Sequence, residues 1–318
     1  MKKSFYAVLL AVGAACGGQG DSTTNGLTIL APAAPGGGWD QTARAMQTAL
    51  QTDAAGVSVR VVNVAGAGGT VGLARFVNTD IGRDDVLLVT GLIMVGAVVT
   101  NQSAVSLEAT TPIARLTGDY EVLVVPESSP YADLAAFLDA WKQDPGAFAI
   151  AGGSAGGTDH MLAGLLAARV GMDPTTINYV PHSGGGESIA SILGEQVTAG
   201  INGLSELVAF IESGRMRALA ISSEMRLPER PIPTFVEQGV DLTLTNWRGV
   251  VGPPNLTDQE RSALTARMDA MRESESWRAT LAQNGWLDQY LSGVAFETFL
   301  DDERVRATDV LRSIGLTE

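Results

Sequence analysis

Leu27-Thr28-Ile29-Leu30-Ala31-Pro32-Ala33-Ala34-Pro35-Gly36-Gly37-Gly38-Trp39-Asp40-Gln41-Thr42-Ala43-Arg44 runs from an apolar stretch into a glycine turn and then into helical spacing that continues through Met46 and Leu50. A short apolar run closed by Pro and Gly reads as a buried strand, and Ala43, Met46 and Leu50 fall on one face of a helix. The same succession recurs three times. Val57 to Val64 leads to Ala65-Gly66-Ala67-Gly68-Gly69-Thr70 and then Val71 to Phe76; Ala147 to Ala151 leads to Gly152-Gly153-Ser154-Ala155-Gly156-Gly157-Thr158 and then Met161 to Val170. Ile177 to Val180 leads to Ser183-Gly184-Gly185-Gly186-Glu187 and then Ser188 to Leu193. Strands alternating with helices predict an α/β protein with parallel sheets. Ligands in such sheets bind beyond the carboxyl ends of the strands, where glycine lets backbone come close and the next helix offers unpaired N–H groups. Two turns lie early and two lie in mid-chain, which predicts two α/β lobes that each give a pair of loops to one cleft.

The rest of the chain sets the frame. Its 318 residues are long enough for about two domains. With 45% hydrophobic and 18% charged residues, it fits neither wholesale disorder nor a multi-span membrane protein. Glycine is in excess, at 37 residues, without the fixed period of collagen. Asp and Glu outnumber Lys and Arg by 35 to 21, and the net charge of -14 disfavours nucleic acid or an anionic membrane as partner. An anionic ligand would therefore have to be held by local donors, against the field of the whole chain. Toward the C-terminus, Thr257 and Glu260 make a capping box before Leu264, Met268 and Met271, and a helix from about Phe296 to Ile314 ends at Gly315.

Met1, Lys2 and Lys3, followed by an uncharged apolar run to Ala15, read as a secretory signal over residues 1–15. That run is too short to span a bilayer. Cys16, the single cysteine, follows Gly13-Ala14-Ala15 in the manner of a bacterial lipoprotein processing site, although Gly13 stands where such sites usually carry Leu. Lipidation of Cys16 with residues 16–26 as a flexible tether is the expectation; ordinary cleavage nearby, releasing a free secreted protein, is the alternative.

Several chemistries can be weighed. Gly152-Gly153-Ser154-Ala155-Gly156 matches a nucleophile elbow, yet the only histidines are His160 and His182, and nothing after them completes the acid-then-histidine order of a hydrolase. Gly66-Ala67-Gly68 lacks the third glycine of a dinucleotide fingerprint at its proper spacing. Lys142 is the only lysine after the signal, which disfavours a Walker loop and Schiff-base chemistry alike. No clustered ligand set suggests a metal, and no cofactor is expected. Asp301-Asp302-Glu303 reads as a solvated helix face. His160 either donates to a bound carboxylate or bonds its own loop, His182 reads as a loop-packing or solvent residue, and Trp39 is a cleft lid or interlobe packing. Asp40 reads as an N-cap or a polar ligand contact.

The opening quoted above resembles that of the substrate-binding proteins of tripartite tricarboxylate transporters, the TctC or Bug family. The resemblance continues, in order, through Asn63 to Gly72, Thr90 to Gly96, Thr111 to Leu116, Gly153 to His160, Gly214 to Ala220 and Pro233 to Gly239. It implies a two-lobe periplasmic binding protein fold, type II-like, that closes on a small carboxylate without catalysis, works as a monomer and delivers the ligand to integral-membrane permease subunits. Residues 27–123 plus 245–318 would form lobe 1 and residues 124–244 lobe 2, with crossings near Val124 and Leu244. Carried over by motif, the ligand-binding residues would be Gly36, Gly37, Trp39, Asp40, Gly68, Gly69, Thr70, Ser154, Thr158 and His160. The Gly-Gly-Gly-Trp-Asp loop resembles the tricarboxylate branch, so citrate is the expected ligand, in the periplasm or at the outer face of the cell membrane. A carboxylate-sensing receptor for a two-component system, and more remotely a serine hydrolase using Ser154, are the alternatives.

Overall fold

The glycine turns end strands and begin helices at all four expected places in the computed structural model, which describes residues 26–53 and 58–318. The expected signal 1–15, Cys16 and all but the last residue of the expected tether lie outside the described residues. The first half is built from β1 (Gly26–Ala31), α1 (Gly38–Asp53), β2 (Ser58–Asn63), α2 (Thr70–Thr79), β3 (Val86–Gly91) and α3 (Leu92–Thr100). β1 lies between β2 and β3, parallel to both, with Leu30 opposite Val62 and Leu88. β3 is buried at every residue, the pattern of a strand covered on both faces by helices.

β4 (Thr111–Pro126) then leaves this half for the next. The second half comprises α4 (Leu134–Gln143), β5 (Ala149–Gly152), α5 (Thr158–Arg169), β6 (Asn178–Pro181), α6 (Gly185–Leu193), β7 (Ala199–Gly203), α7 (Leu204–Glu212) and β8 (Met216–Ile221). β9 (Thr245–Gly252) returns to the first half, followed by α8 (Asp258–Glu273), α9 (Glu275–Asn284), β10 (Leu287–Ser292) and α10 (Gly293–Ser313).

The strands follow the order β2-β1-β3-β9-β4-β7-β5-β6, with β10 and β8 added to opposite ends of β4. The purely parallel sheets expected from the alternation are not what forms. β1–β2, β1–β3, β5–β6 and β5–β7 are parallel, but every pairing of β4 and β9 is antiparallel. The reason is connectivity: β4 carries the chain out of the first half, β9 carries it back, and they lie side by side in opposite directions. β4 pairs with β9 up to Tyr120 opposite Thr245, and with β7 from Glu121 opposite Gly203.

The C-terminal helices dock this frame. The capping box at α8 forms in both directions, with the Glu260 N–H donating to Thr257 Oγ1 at 3.3 Å and the Thr257 N–H to Glu260 Oε2 at 2.7 Å. α10 ends on Gly315 at φ +76°. There the Gly315 and Leu316 N–H groups donate to the carbonyls of Arg312 and Leu311, a Schellman ending. One reading of this helix changes. Asp301 and Asp302 are solvated, but Glu303 is only 6% exposed and accepts from Trp247 Nε1 at 2.7 Å. Helical spacing places it in line with Phe296, Leu300, Ala307 and Leu311, all buried. Ile314, just past the end of α10, lies over Gly164 of α5, so the C-terminal segment touches both halves.

Candidate functional site

The glycine loops converge where the two halves meet. After β1, Trp39 turns across the second loop: a Cβ on Gly69 would stand 2.6 Å from Trp39 Cζ3, and Gly69 itself has φ +90°. Only glycine satisfies both conditions there. Gly38 makes room for a different side chain, since its Cβ would lie 2.6 Å from Nη2 of Arg248 on β9. Asp40 is not an N-cap, because α1 already begins at Gly38. It is buried in the first turn and reaches back to accept from the Gly36 N–H at 2.8 Å, Arg44 Nε at 2.9 Å and Asn63 Nδ2 at 2.9 Å. Burial alone would raise its pKa; these bonds outweigh burial and hold it below the ordinary carboxylate value. Asp40 thus fixes the first loop to β2.

The third loop is braced from beneath. Asp159 accepts from the Gly153 N–H at 2.6 Å, and Tyr179 Oη donates to Gly153 O at 2.9 Å. The His160 ring stacks on Tyr179 at 4.0 Å and its Nδ1 accepts from the Gly156 N–H at 3.2 Å. Burial lowers its pKa to about 4, so the imidazole is neutral and shapes the loop. His182 is a packing residue, its ring nitrogens bonded to Gly152 O and Ser191 Oγ. Among the described residues neither imidazole bonds Ser154 or a carboxylate, and no group of three or more His, Cys, Asp and Glu is set to hold a metal.

Between the loops lies a narrow cavity of about 70 Å³. Of the residues singled out in the sequence, Gly37, Trp39, Gly68, Gly69 and Ser154 line it. Gly36, Asp40, Thr70, Thr158 and His160 do not line it. The Thr70 hydroxyl donates to Ala67 O at 2.9 Å, whereas buried Thr158 Oγ1 has no hydrogen-bond partner among the described residues. The halves touch beside the cavity, with Gly156 O against Gly96 and Gly157 against Ile93.

The sequence reading missed the cavity's charged interior. Arg248 and Asn246 on β9, Asn202 on β7, Asp159 on α5 and Glu206 on α7 all line it. Asp119 and Glu121 on β4 stand next to them: Asp119 Oδ2 is 3.6 Å from Arg248 Nη2, and Glu121 Oε1 accepts from Asn246 Nδ2 at 3.0 Å. A signal for these was present. Asp119 and Glu121, like Asn246 and Arg248, sit two apart inside apolar runs, which puts each pair on one face of its strand. Burial raises all four carboxyls, Asp159 to about 6 and Glu206 to about 7. Mutual repulsion pushes Glu121 and Glu206 further up, and the Arg248 charge offsets part of the rise at each of the four.

With this geometry in view, the chain can be compared with known proteins. A sequence model of the tripartite tricarboxylate transporter family receptor, TctC, matches residues 42–316. Protein BugT of Bordetella pertussis is 28% identical over 295 residues, covering 91% of this chain and 89% of its own length. The structure of periplasmic binding protein BugD superposes with TM-score 0.82 at 19% identity, over 92% of this chain and 98% of that one. R. palustris Rpa4515 with adipate superposes with TM-score 0.83 at 22% identity, over 93% and 99%. These superpositions show the two-lobe periplasmic binding protein fold.

Proposed function

The chain belongs to the tripartite tricarboxylate transporter receptor family, and on that premise we propose that it captures a small carboxylate in the interlobe cavity and hands it to permease subunits in the membrane. The observation that carries this reading is that the glycine loops at the starts of α1 and α2, with their backbone amides, line one side of the cavity and a second lobe lines the other. Such amides and helix N-termini hold a carboxylate at short range even in an acidic chain. In this reading Gly37, Trp39, Gly68, Gly69 and Ser154 meet the ligand directly. Gly36, Asp40, Thr70, Thr158 and His160 hold the loops that do so.

Residues 27–123 with 245–318 and residues 124–244 would be the two bodies that close, by bending where β4 and β9 cross between them. The protein would act as a monomer without chemistry on its ligand, in the periplasm or on the outer face of the membrane, tethered through Cys16. Adipate, the acid bound by the R. palustris neighbour, belongs among the candidate ligands, as does citrate, which the first loop suggests. The interior carboxylates weigh against citrate. The test is calorimetry on protein unfolded and refolded to strip carried-over ligand, titrated with citrate, tricarballylate, succinate, adipate, glutamate and terephthalate. One-to-one binding of at least one carboxylate is expected, and silence from folded protein toward all of these acids and toward zwitterionic and dibasic amino acids as well would overturn the reading.

A further inference from the structure

Resting on the receptor reading above, we propose that the ligand carries a cationic ammonium or guanidinium group as well as its carboxylate and has no net negative charge, as an ω-amino acid or a dibasic amino acid does. Three features lead there.

The first is charge. Asp159 and Glu206 line the cavity together with Arg248, Asp119 stands 3.6 Å from Arg248, and Glu121 accepts from Asn246 beside it. Arg248 answers Asp119, which also accepts from Ser205 Oγ at 2.5 Å. That leaves Asp159 and Glu206 lining a cavity in which a tricarboxylate would add up to three more negative charges. The cluster is not a metal cage, since no such group stands among the described residues.

The second is the set of buried polar atoms with no partner among the described residues. They are donors and acceptors together: Arg248 Nη1 and Asn202 Nδ2 on one hand, Asn246 Oδ1, Asp119 Oδ1 and Glu121 Oε2 on the other. Arg248, Asn202 and Asn246 line the cavity at 2%, 1% and 4% exposure. Among the atoms of the lining residues, a carboxylate would match Arg248 Nη1 and Asn202 Nδ2 but leave Asn246 Oδ1 unmatched, and an ammonium group supplies the donor that Asn246 Oδ1 needs.

The third is the placement of helix ends. The first turn of α2 carries no acid, and the acid in the first turn of α1, Asp40, is turned away into its own loop. Across the cavity, α5 and α7 carry Asp159 and Glu206 in their first turns. Their own carboxylates cancel the positive ends of these two helices. The cavity is therefore bipolar. The wall of the first two glycine loops suits the carboxylate, and the side that bears Asp159 and Glu206 suits the cation.

The experiment uses matched pairs that exchange one carboxylate for an ammonium group: adipate against 6-aminohexanoate, and 2-aminoadipate against lysine, with citrate alongside. The amino member of at least one pair should bind tenfold or more tighter than its acid counterpart. Glu206→Gln should erase that preference, as should the second variant, Glu121→Gln, each checked for a cooperative thermal melt. If the diacid or citrate binds as tightly as the amino member, the inference falls while the receptor reading stands. If no carboxylate binds to folded protein, both fall.

Discussion

Arg248 shows how much depends on one side chain inside an acidic chain. It is 2% exposed, lies in the space left by Gly38, stacks on Trp286 at 5.3 Å and faces Asp119 at 3.6 Å. Removing one partner of a buried pair strands the other's charge. Arg248→Met should therefore destabilise the protein by about 3–5 kcal/mol in urea unfolding, and adding Asp119→Asn should restore part of the loss. A loss in the double variant equal to the sum of the losses in Arg248→Met and Asp119→Asn would show that the two groups are not coupled. Glu206 makes a second residue-scale test. Its folded pKa, about 7, lies above the unfolded value, so between the two the folded state holds the extra proton. Its contribution is fully present below the unfolded value and lost as pH rises through 7. Asp159, at about 6, acts in the same direction. His160, held down to about 4, acts the other way below its unfolded value, but the two carboxyls outweigh it, so the ligand-free protein should melt at higher temperature at pH 5.5 than at pH 8, with Glu206→Gln reducing the difference by about 2–4 °C. A variant with the same pH slope as the parent would remove Glu206 from the account.

At the scale of elements, what is local in sequence was legible and what is assembled was not. The strand–glycine–helix units, the capping box at Thr257 and the Schellman end at Gly315 rest on residues within a few positions of one another. The interior of the cavity depends on pairings such as Asn246 with Glu121, which no local pattern joins. The same limit explains Glu303: an acidic triplet looks solvated until Trp247, from a distant strand, supplies the buried donor. The third loop offers a test of how the elements meet. Gly96 of α3 lies against Gly156 O, and any Cβ on Gly96 would overlap it. Gly96→Val should prop the lobes apart and weaken ligand binding by roughly tenfold or more, about 1.4 kcal/mol. The thermal melt should remain cooperative, and small-angle scattering should show the ligand-bound variant more open than its parent. An unchanged affinity would mean that the closed contact at Gly156 is not part of binding.

For the whole molecule, the net charge of -14 acts on every ligand that approaches, and its sign separates the candidates. Exposed charges are screened beyond about 8 Å at physiological ionic strength, while contacts inside the cavity are screened much less. Added salt therefore weakens the long-range pull or push and leaves the short-range bonds. A net cation such as lysine is drawn in by the surface, so its affinity should fall several-fold between 20 and 500 mM NaCl. A dianion or trianion is repelled, so the affinity of adipate or citrate should hold or rise over the same range. A zwitterion such as 6-aminohexanoate should change least, because it has no net charge for the field to act on. Titrating all of these at three salt concentrations turns the acid surplus into a measurement: a steep fall for citrate would contradict capture by glycine-loop amides, and a rise for lysine would contradict attraction of a cation by the molecule as a whole.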